Sequence, residues 1–149
     1  METYKHILFA TDFSEFSENA AKRAVNLAGL CNAELTLLHV VEQCPQYYSY
    51  GDYVLPENVD PWKNATEDSE KQLKQLAKRI QYSKAKILMR MTSKSAKHEI
   101  VSVAKESKAD LIVTGTHGRS GLRALLGSVA EGVVHLAPCE VLIVRPQPT

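Results

Sequence analysis

The chain has 149 residues, of which 44% are apolar, and this length and composition predict one domain with its own core rather than two. Its 18 basic and 17 acidic residues leave a net charge of +1 and are mixed along the chain, so non-specific nucleic-acid binding is not expected. The longest apolar runs span a few residues, far short of the roughly 20 that a membrane-spanning helix needs. We therefore expect a soluble protein with neither nucleic acid nor membranes as partners.

The N-terminal residues lead directly into a strand-like run, without the apolar segment and cleavage site of a secretion signal, which predicts a cytoplasmic protein. Cys31, Cys44 and Cys139 are odd in number and widely spaced. We expect reduced thiols, two of them packed near the core, rather than a disulfide framework or a zinc site.

Short β-branched runs alternate with segments whose apolar residues recur at helical spacing, which predicts a parallel sheet covered by crossover helices. The predicted strands are His6–Ala10, Leu35–Val41, Ala85–Met91, Ala109–Thr114 and Glu140–Val144. A helix is predicted after each of the first four strands; the first ends at Gly29, the second runs from Asn64 to Tyr82, the third contains Ile100, Val103 and Ala104, and the fourth contains Val129, Val133 and Leu136. Residues 42–61 form the longest predicted loop, and its four tyrosines at positions 47–53 suit either a partner-binding patch or a cover for the rim of the fold.

Five parallel strands with four helices fit a doubly wound sheet, for which the strand orders 3-2-1-4-5 and 2-1-3-4-5 are both plausible. In such sheets, ligands bind at the carboxyl ends of the strands where the winding direction reverses. The segments after strands one and four are therefore the first places to look for a binding site.

The turn after strand one has no glycine-rich phosphate-binding motif. Glu15 and Glu18 are predicted in the first turns of helix one, where carboxylates suit the helix dipole and repel a phosphate. Asp12 has two interpretations: a turn residue that binds local amides, or a carboxylate that faces a ribose hydroxyl or a metal ion.

The segment after strand four is rich in glycine and locally cationic. Gly115, Gly118 and Gly127-Ser128 favour close approach of a ligand to backbone amides, the last pair at the predicted start of helix four, and Arg119 adds a charge for phosphate. His117 suits either a phosphate contact or a solvent-exposed loop residue. A competing interpretation is a capping box, in which Ser128 and Glu131 satisfy the same amides internally.

The remaining candidate residues give weaker evidence for a catalytic or metal site. His39 is interpreted as a core or rim histidine bonded to backbone, because the spacing offers no partners for a metal site. No hydrolase motif or cysteine nucleophile setting occurs. The terminal strand Val141, Leu142, Ile143 and Val144 is apolar, and an apolar edge invites pairing with a second copy.

Together, several of these segments resemble the universal stress protein family. They are Tyr4–Leu8 with Thr11–Ser14, Leu37–Val40, Ala109–Val113, Gly115–Arg119, Gly127–Glu131 and Val141–Val144, so the resemblance spans nearly the whole chain. It implies a sheet in 3-2-1-4-5 order, as in the adenine nucleotide alpha hydrolase-like fold, and a homodimer joined commonly through the last strand. In one of two subgroups it also implies ATP bound at the sheet edge.

Transferred onto this chain, the resemblance implies that Ala10, Thr11 and Asp12 border the base and ribose and that Val40 contacts adenine. The residues implied to hold the phosphates are Gly115, His117, Gly118, Arg119, Gly127, Ser128 and Val129. Asp12 is also the candidate ligand for Mg²⁺, and AMP is an alternative to ATP.

The chain departs from the family motif in two places. Eight residues separate Gly118 from Gly127, where the ATP-binding subgroup has nine, and Ser93-Lys94-Ser95-Ala96 replaces a glycine and proline before helix three. The leading hypothesis is an adenine-nucleotide-binding homodimer that acts in stress response or signalling. The alternatives are a nucleotide-free dimeric interaction protein of the same family and an enzyme, at most a slow ATPase, for which no catalytic base is identified.

Overall fold

All five predicted strands pair in one parallel sheet in the computed structural model, which describes residues 3–43, 60, 62–116 and 126–146. The strands are β1 (His6–Ala10), β2 (Glu34–Glu42), β3 (Ala85–Thr92), β4 (Leu111–Gly115) and β5 (Glu140–Val144). Their order is β3-β2-β1-β4-β5, and every neighbouring pair is parallel. The order implied by the family resemblance is therefore confirmed, and the order 2-1-3-4-5 is wrong.

Helices cover both faces of this sheet, as the predicted architecture requires. They are α1 (Ser17–Cys31), α2 (Lys63–Ile80), α3 (Ala96–Ser107) and α4 (Ser128–Leu136). Side chains alternate along β1, so Ile7 and Phe9 pack in a core with α1 and α2, whereas Leu8 and Ala10 pack in a second core with α3 and α4. We call these the α1/α2 core and the α3/α4 core.

Both ends of α1 differ from the prediction. Gly29 lies inside the helix, and Asn32 takes the left-handed conformation that ends it, with φ of 55°. Asparagine tolerates this conformation because its short polar side chain bonds locally. At the other end the helix begins at Ser17, so Glu15 precedes the helix and only Glu18 lies in its first turn.

The remaining ends agree with the prediction to within two residues. The extra length of β2 comes from its pairing with β3, which continues to Glu42 opposite Thr92. The predicted loop over 42–61, with its tyrosines and Cys44, lies almost entirely outside the described residues.

The two described cysteines are free, half-buried thiols, as expected. Cys31 packs against the α1/α2 core and Cys139 against the α3/α4 core. Burial raises the pKa of the Cys139 thiol and so favours its protonated form. No helix in the described ranges is both long and apolar enough to cross a bilayer.

Candidate functional site

The winding of the sheet reverses between β1 and β4, which lie side by side. A cleft opens there, at the carboxyl edge of the sheet, between the strand ends and the first turns of α3 and α4. Eight predicted site residues line it: Ala10, Thr11, Asp12, Val40, Gly115, Gly127, Ser128 and Val129. The other three, His117, Gly118 and Arg119, lie outside the described residues. The structure thus gathers the eight in one place, while their roles in binding stay predictions.

The two glycine segments meet at the end of β4. The amide of Gly127 donates a hydrogen bond of 2.7 Å to the carbonyl oxygen of Thr116. The segment between these residues therefore starts and ends at one point on the sheet. The spacing between Gly118 and Gly127 is one residue shorter than in the family motif. Gly127-Ser128 nevertheless lies beside the end of β4, next to Gly115.

The start of α4 presents backbone amides without acceptors. Gly127 precedes the helix with extended backbone, φ −60° and ψ 151°, and offers no side chain as a cap. The first bond of the helix runs from the amide of Glu131 to the carbonyl of Gly127, at 2.9 Å. Within the described ranges, the amides of Ser128, Val129 and Ala130 donate no hydrogen bond.

The predicted capping box at this position is therefore wrong. A capping box needs Ser128 one position before the helix, but Ser128 is the first helical residue. The Glu131 carboxylate instead lies 4.0 Å from Nε2 of His135, one turn further along the exposed face. Neither side chain occupies the open amides.

The other three helices start differently. In α1 the amide of Ser17 bonds the carbonyl of Ser14 at 3.1 Å, and in α2 the amide of Lys63 bonds the carbonyl of Asp60 at 3.3 Å. In α3 the amide of Ala96 donates to Oε1 of Glu42, at 2.7 Å, so a carboxylate from β2 already occupies that positive end. Among the helix starts that line the cleft, the start of α4 is the one suited to an anionic ligand.

The loop after β1 is folded on itself by side-chain bonds. Oδ1 of Asp12 accepts the amide of Ser14 at 2.9 Å, and Oγ1 of Thr11 accepts the amide of Phe13 at 3.0 Å. The interpretation of Asp12 as a turn residue is therefore confirmed. Asp12 also lines the cleft, so this bond and a role toward a ligand are compatible.

His39 bonds backbone, as predicted. Its Nδ1 donates to the carbonyl oxygen of Thr11 at 2.7 Å, and its ring stacks on that of Phe13 with centroids 4.4 Å apart. β2 runs three residues past His39, so this histidine lies on the rim of the cleft rather than at the strand end. No cluster of three or more potential metal-binding side chains occurs in the described part of the chain.

Gly115 leaves room for the protein's own backbone. A Cβ at this position would lie 3.4 Å from the carbonyl oxygen of Phe16, just before α1. Gly115 was predicted to allow a ligand close to the backbone, but the backbone just before α1 is what a side chain at this position would meet first. The contact distance is an ordinary one, so we expect alanine to fit at position 115.

Several cleft residues were not predicted. Ala96 and Ile100 from α3 line the cleft together with Val40, and Thr114 of β4 lines it as well. In the sequence, Ile100 has only the spacing of a core residue. The signal that was available is topological: the first turn of each crossover helix that follows a strand lies at the same edge as the strand ends.

The match to known proteins covers almost all of the chain. The model of the Universal stress protein family matches residues 3–145. Universal stress protein A homolog 1 of Coxiella burnetii is 37% identical over 141 residues, which cover 95% of this chain and 96% of the relative.

Solved structures share the fold. The chain is similar to hypothetical protein MJ0577, with a TM-score of 0.83, 30% identity, and coverage of 99% of this chain and 100% of the other. It is also similar to a universal stress protein solved in complex with cAMP, with a TM-score of 0.66, 28% identity, and coverage of 98% and 100%. The chain therefore belongs to the universal stress protein family.

Proposed function

We propose that the chain binds an adenine nucleotide in the cleft between β1 and β4. The observation that carries this proposal is the start of α4, where the amides of Ser128, Val129 and Ala130 have no acceptor among the described residues and lie beside the cleft. Three adjacent backbone donors at the positive end of a helix match the oxygens of a phosphate. A similar universal stress protein binds cAMP, which supports an adenine nucleotide as the ligand.

The walls of the cleft match the rest of such a molecule. Val40, Ala96 and Ile100 give an apolar surface against which a base can stack, on the β2 side of the floor. Asp12 lines the same cleft, and in this proposal its carboxylate accepts hydrogen bonds from ribose hydroxyls. In our proposal the phosphates therefore lie over β4 and α4, with Gly118, Arg119 and His117 as further contacts.

We propose ATP or AMP as the nucleotide, with Mg²⁺ as a companion of ATP. Asp12 is the one acidic residue among the described residues that line the cleft, and Mg²⁺ is commonly held by one or two carboxylates plus substrate phosphates. The proposed role is binding in a stress or signalling response, and it needs no catalytic group. The free thiols of Cys31 and Cys139 support a reducing compartment, the cytoplasm.

We further propose that two copies pair through β5. This edge carries Val141, Leu142, Ile143 and Val144, all half-buried and apolar, and the adjacent helix α4 exposes Val134 and Leu136. An apolar edge strand beside exposed apolar side chains suits a second copy of the same surface.

Calorimetric titration with ATP, ADP, AMP and cAMP, with and without Mg²⁺, tests nucleotide binding. Adenosine is the control because it lacks phosphate, and GTP is the control for the base. We expect saturable heat for adenine nucleotides and weaker binding of adenosine. The absence of heat and of any thermal stabilisation at millimolar nucleotide would remove the proposal and leave a nucleotide-free dimer.

A further inference from the structure

Phe13 has a backbone conformation that a bulky side chain rarely adopts. Its φ is 63°, in the left-handed region, directly after Asp12. Such a conformation is costly and persists only where surrounding contacts hold it. The contacts at Phe13 therefore decide how the loop from Thr11 to Ser14 presents Asp12 to the cleft.

Two of these contacts come from one residue on the neighbouring strand. Nδ1 of His39 donates to the carbonyl oxygen of Thr11 at 2.7 Å, which fixes the peptide between Thr11 and Asp12. Because a carbonyl oxygen only accepts, Nδ1 carries a proton here. The same imidazole packs on the ring of Phe13 at 4.4 Å, with an interplanar angle of 34°.

The loop is also held by bonds among its own residues, by Ser17 of α1, whose Oγ donates to the carbonyl oxygen of Ser14 at 2.7 Å, and by packing of Phe13 against the α1/α2 core. The amide of Phe13 bonds Oγ1 of Thr11, and the amide of Ser14 bonds Oδ1 of Asp12. The amide of Thr11 bonds the carbonyl of Leu38 on β2, one residue before His39. This backbone bond and the two contacts of the His39 side chain all tie the loop to β2.

We propose that His39 is a positioning residue of the nucleotide site: through the Thr11 carbonyl and the Phe13 ring it holds Asp12 in the orientation that binds the ribose hydroxyls. This inference rests on the proposed function for its ligand. Its structural half, the hold of His39 on the loop, does not depend on any ligand.

Two substitutions separate the two contacts. His39→Phe keeps a ring against Phe13 and removes the donor to Thr11. His39→Asn keeps a donor near the position of Nδ1 and removes the ring. His135→Asn is the matched control, because His135 is exposed in the last turn of α4 and does not line the cleft.

The first measurement is amide hydrogen exchange of the ligand-free protein by NMR. We expect His39→Phe to accelerate exchange at Phe13 and Ser14 by about three- to tenfold, the range of one lost hydrogen bond, and to leave the amides of β4 unchanged. His39→Asn should restore much of the protection, and His135→Asn should match the wild type. Acceleration spread over the whole sheet, or none at Phe13 and Ser14, would overturn the proposal.

The second measurement compares the affinity for ATP with that for 2′,3′-dideoxy-ATP, which lacks the ribose hydroxyls. We expect His39→Phe to reduce the preference for ATP by about three- to tenfold while binding of the dideoxy analogue stays constant. Equal losses for both nucleotides, or an unchanged preference, would contradict a role through Asp12. If the wild type binds neither nucleotide, the proposed function fails, and the exchange measurement alone decides whether His39 holds the loop.

Discussion

The position of Ser128 relative to the start of α4 decides whether its side chain can cap the helix. As the residue before the helix it would cap α4 with its own hydroxyl, but as the first helical residue it leaves the amides of its turn open. The Ser128 side chain is exposed and lines the cleft. This residue therefore offers a direct way to change the charge at the proposed phosphate site.

Ser128→Asp should raise the stability of the fold and lower the affinity for nucleotide. A carboxylate in the first turn stabilises the helix dipole, so we expect the free energy of unfolding to rise by about 0.3–1 kcal/mol. The same charge repels phosphate, so nucleotide affinity should fall at least tenfold. Ser128→Asn is the uncharged control and should retain most of the affinity. Denaturant unfolding measures the change in stability, and calorimetry measures the change in affinity. If Ser128→Asp leaves the nucleotide affinity unchanged, the phosphates bind elsewhere.

Asp110 acts at the opposite edge of the sheet, where it joins β4 to β1. Its Oδ2 accepts the amides of Lys5 and His6 at 2.7 and 2.8 Å. The hydrogen bond from the His6 amide, followed by that from Lys5, holds the pKa of the Asp110 carboxyl below its ordinary value of 3.8. The ionised carboxylate therefore stabilises the fold.

The direction of the pKa shift of Asp110 predicts how the stability of the fold depends on pH. Because the pKa of Asp110 is lower in the folded state, its contribution is complete above the ordinary value of 3.8 and is lost as the pH falls through the lowered pKa. Asp110→Asn should be less stable than the wild type at pH 7, and the difference should shrink below about pH 4. Urea unfolding at pH 7, 4 and 3 measures it, and a difference that is constant with pH would contradict the role of the charge.

At the scale of elements, α1 shows which parts of the fold a sequence determines. The alanine stripe predicted its buried face, and Ala20, Ala24 and Ala28 are fully buried. Its end was predicted wrongly, because glycine is the usual left-handed residue and the pattern does not say which of Gly29 and Asn32 takes that role. Asn32 takes it, with φ of 55°, and the amide of Ala33 then bonds back to the carbonyl oxygen of Ala28 at 2.9 Å.

Gly29→Ala tests this assignment. Gly29 is exposed inside α1, and a Cβ there would meet nothing within 4 Å. Alanine should therefore stabilise the chain by about 0.5–1 kcal/mol, through helix propensity and a less flexible unfolded state. Thermal unfolding measures the change. A loss of stability would mean that Gly29, not Asn32, has the left-handed conformation.

Part of the candidate site could be predicted from the sequence, because the strand order determines which strand ends lie together. Residues at strand ends follow from the order of the strands, and Asp12, Gly115 and Gly127 are found together at the carboxyl edge. The partners in contacts between elements were not predictable: a backbone bond was predicted for His39, but the choice of the Thr11 carbonyl, like the position of Ile100 at the cleft, depends on how neighbouring elements pack. Sequence spacing carries no information about such contacts.

At the scale of the whole molecule, the two edges of the sheet differ in chemistry. β3 carries charged side chains, with Arg90 bonded to Glu106 at 2.8 Å and Lys86 lying 4.0 Å from Glu34. β5 carries an apolar run from Val141 to Val144. Charges protect a sheet edge from pairing, so the proposed dimer should use β5 and not β3.

If two copies pair through β5 as proposed, Ile143→Lys should yield a monomer. Ile143 is half-buried and packs with neither core, so the charge should affect the interface more than the fold. Met91→Lys is the control on the other edge, where Met91 is 38% exposed. Sedimentation equilibrium measures the mass; a wild type that is monomeric, or an Ile143→Lys variant that stays dimeric, would exclude β5 as the interface.

The central claim is that the first amides of α4 bind the phosphates of an adenine nucleotide. The most direct measurement is an NMR titration that follows the amides of Ser128, Val129 and Ala130 as MgATP is added, with adenosine as the control. We predict that all three signals shift with MgATP and stay in place with adenosine. Saturable binding of MgATP that leaves these three amides unmoved would contradict the account.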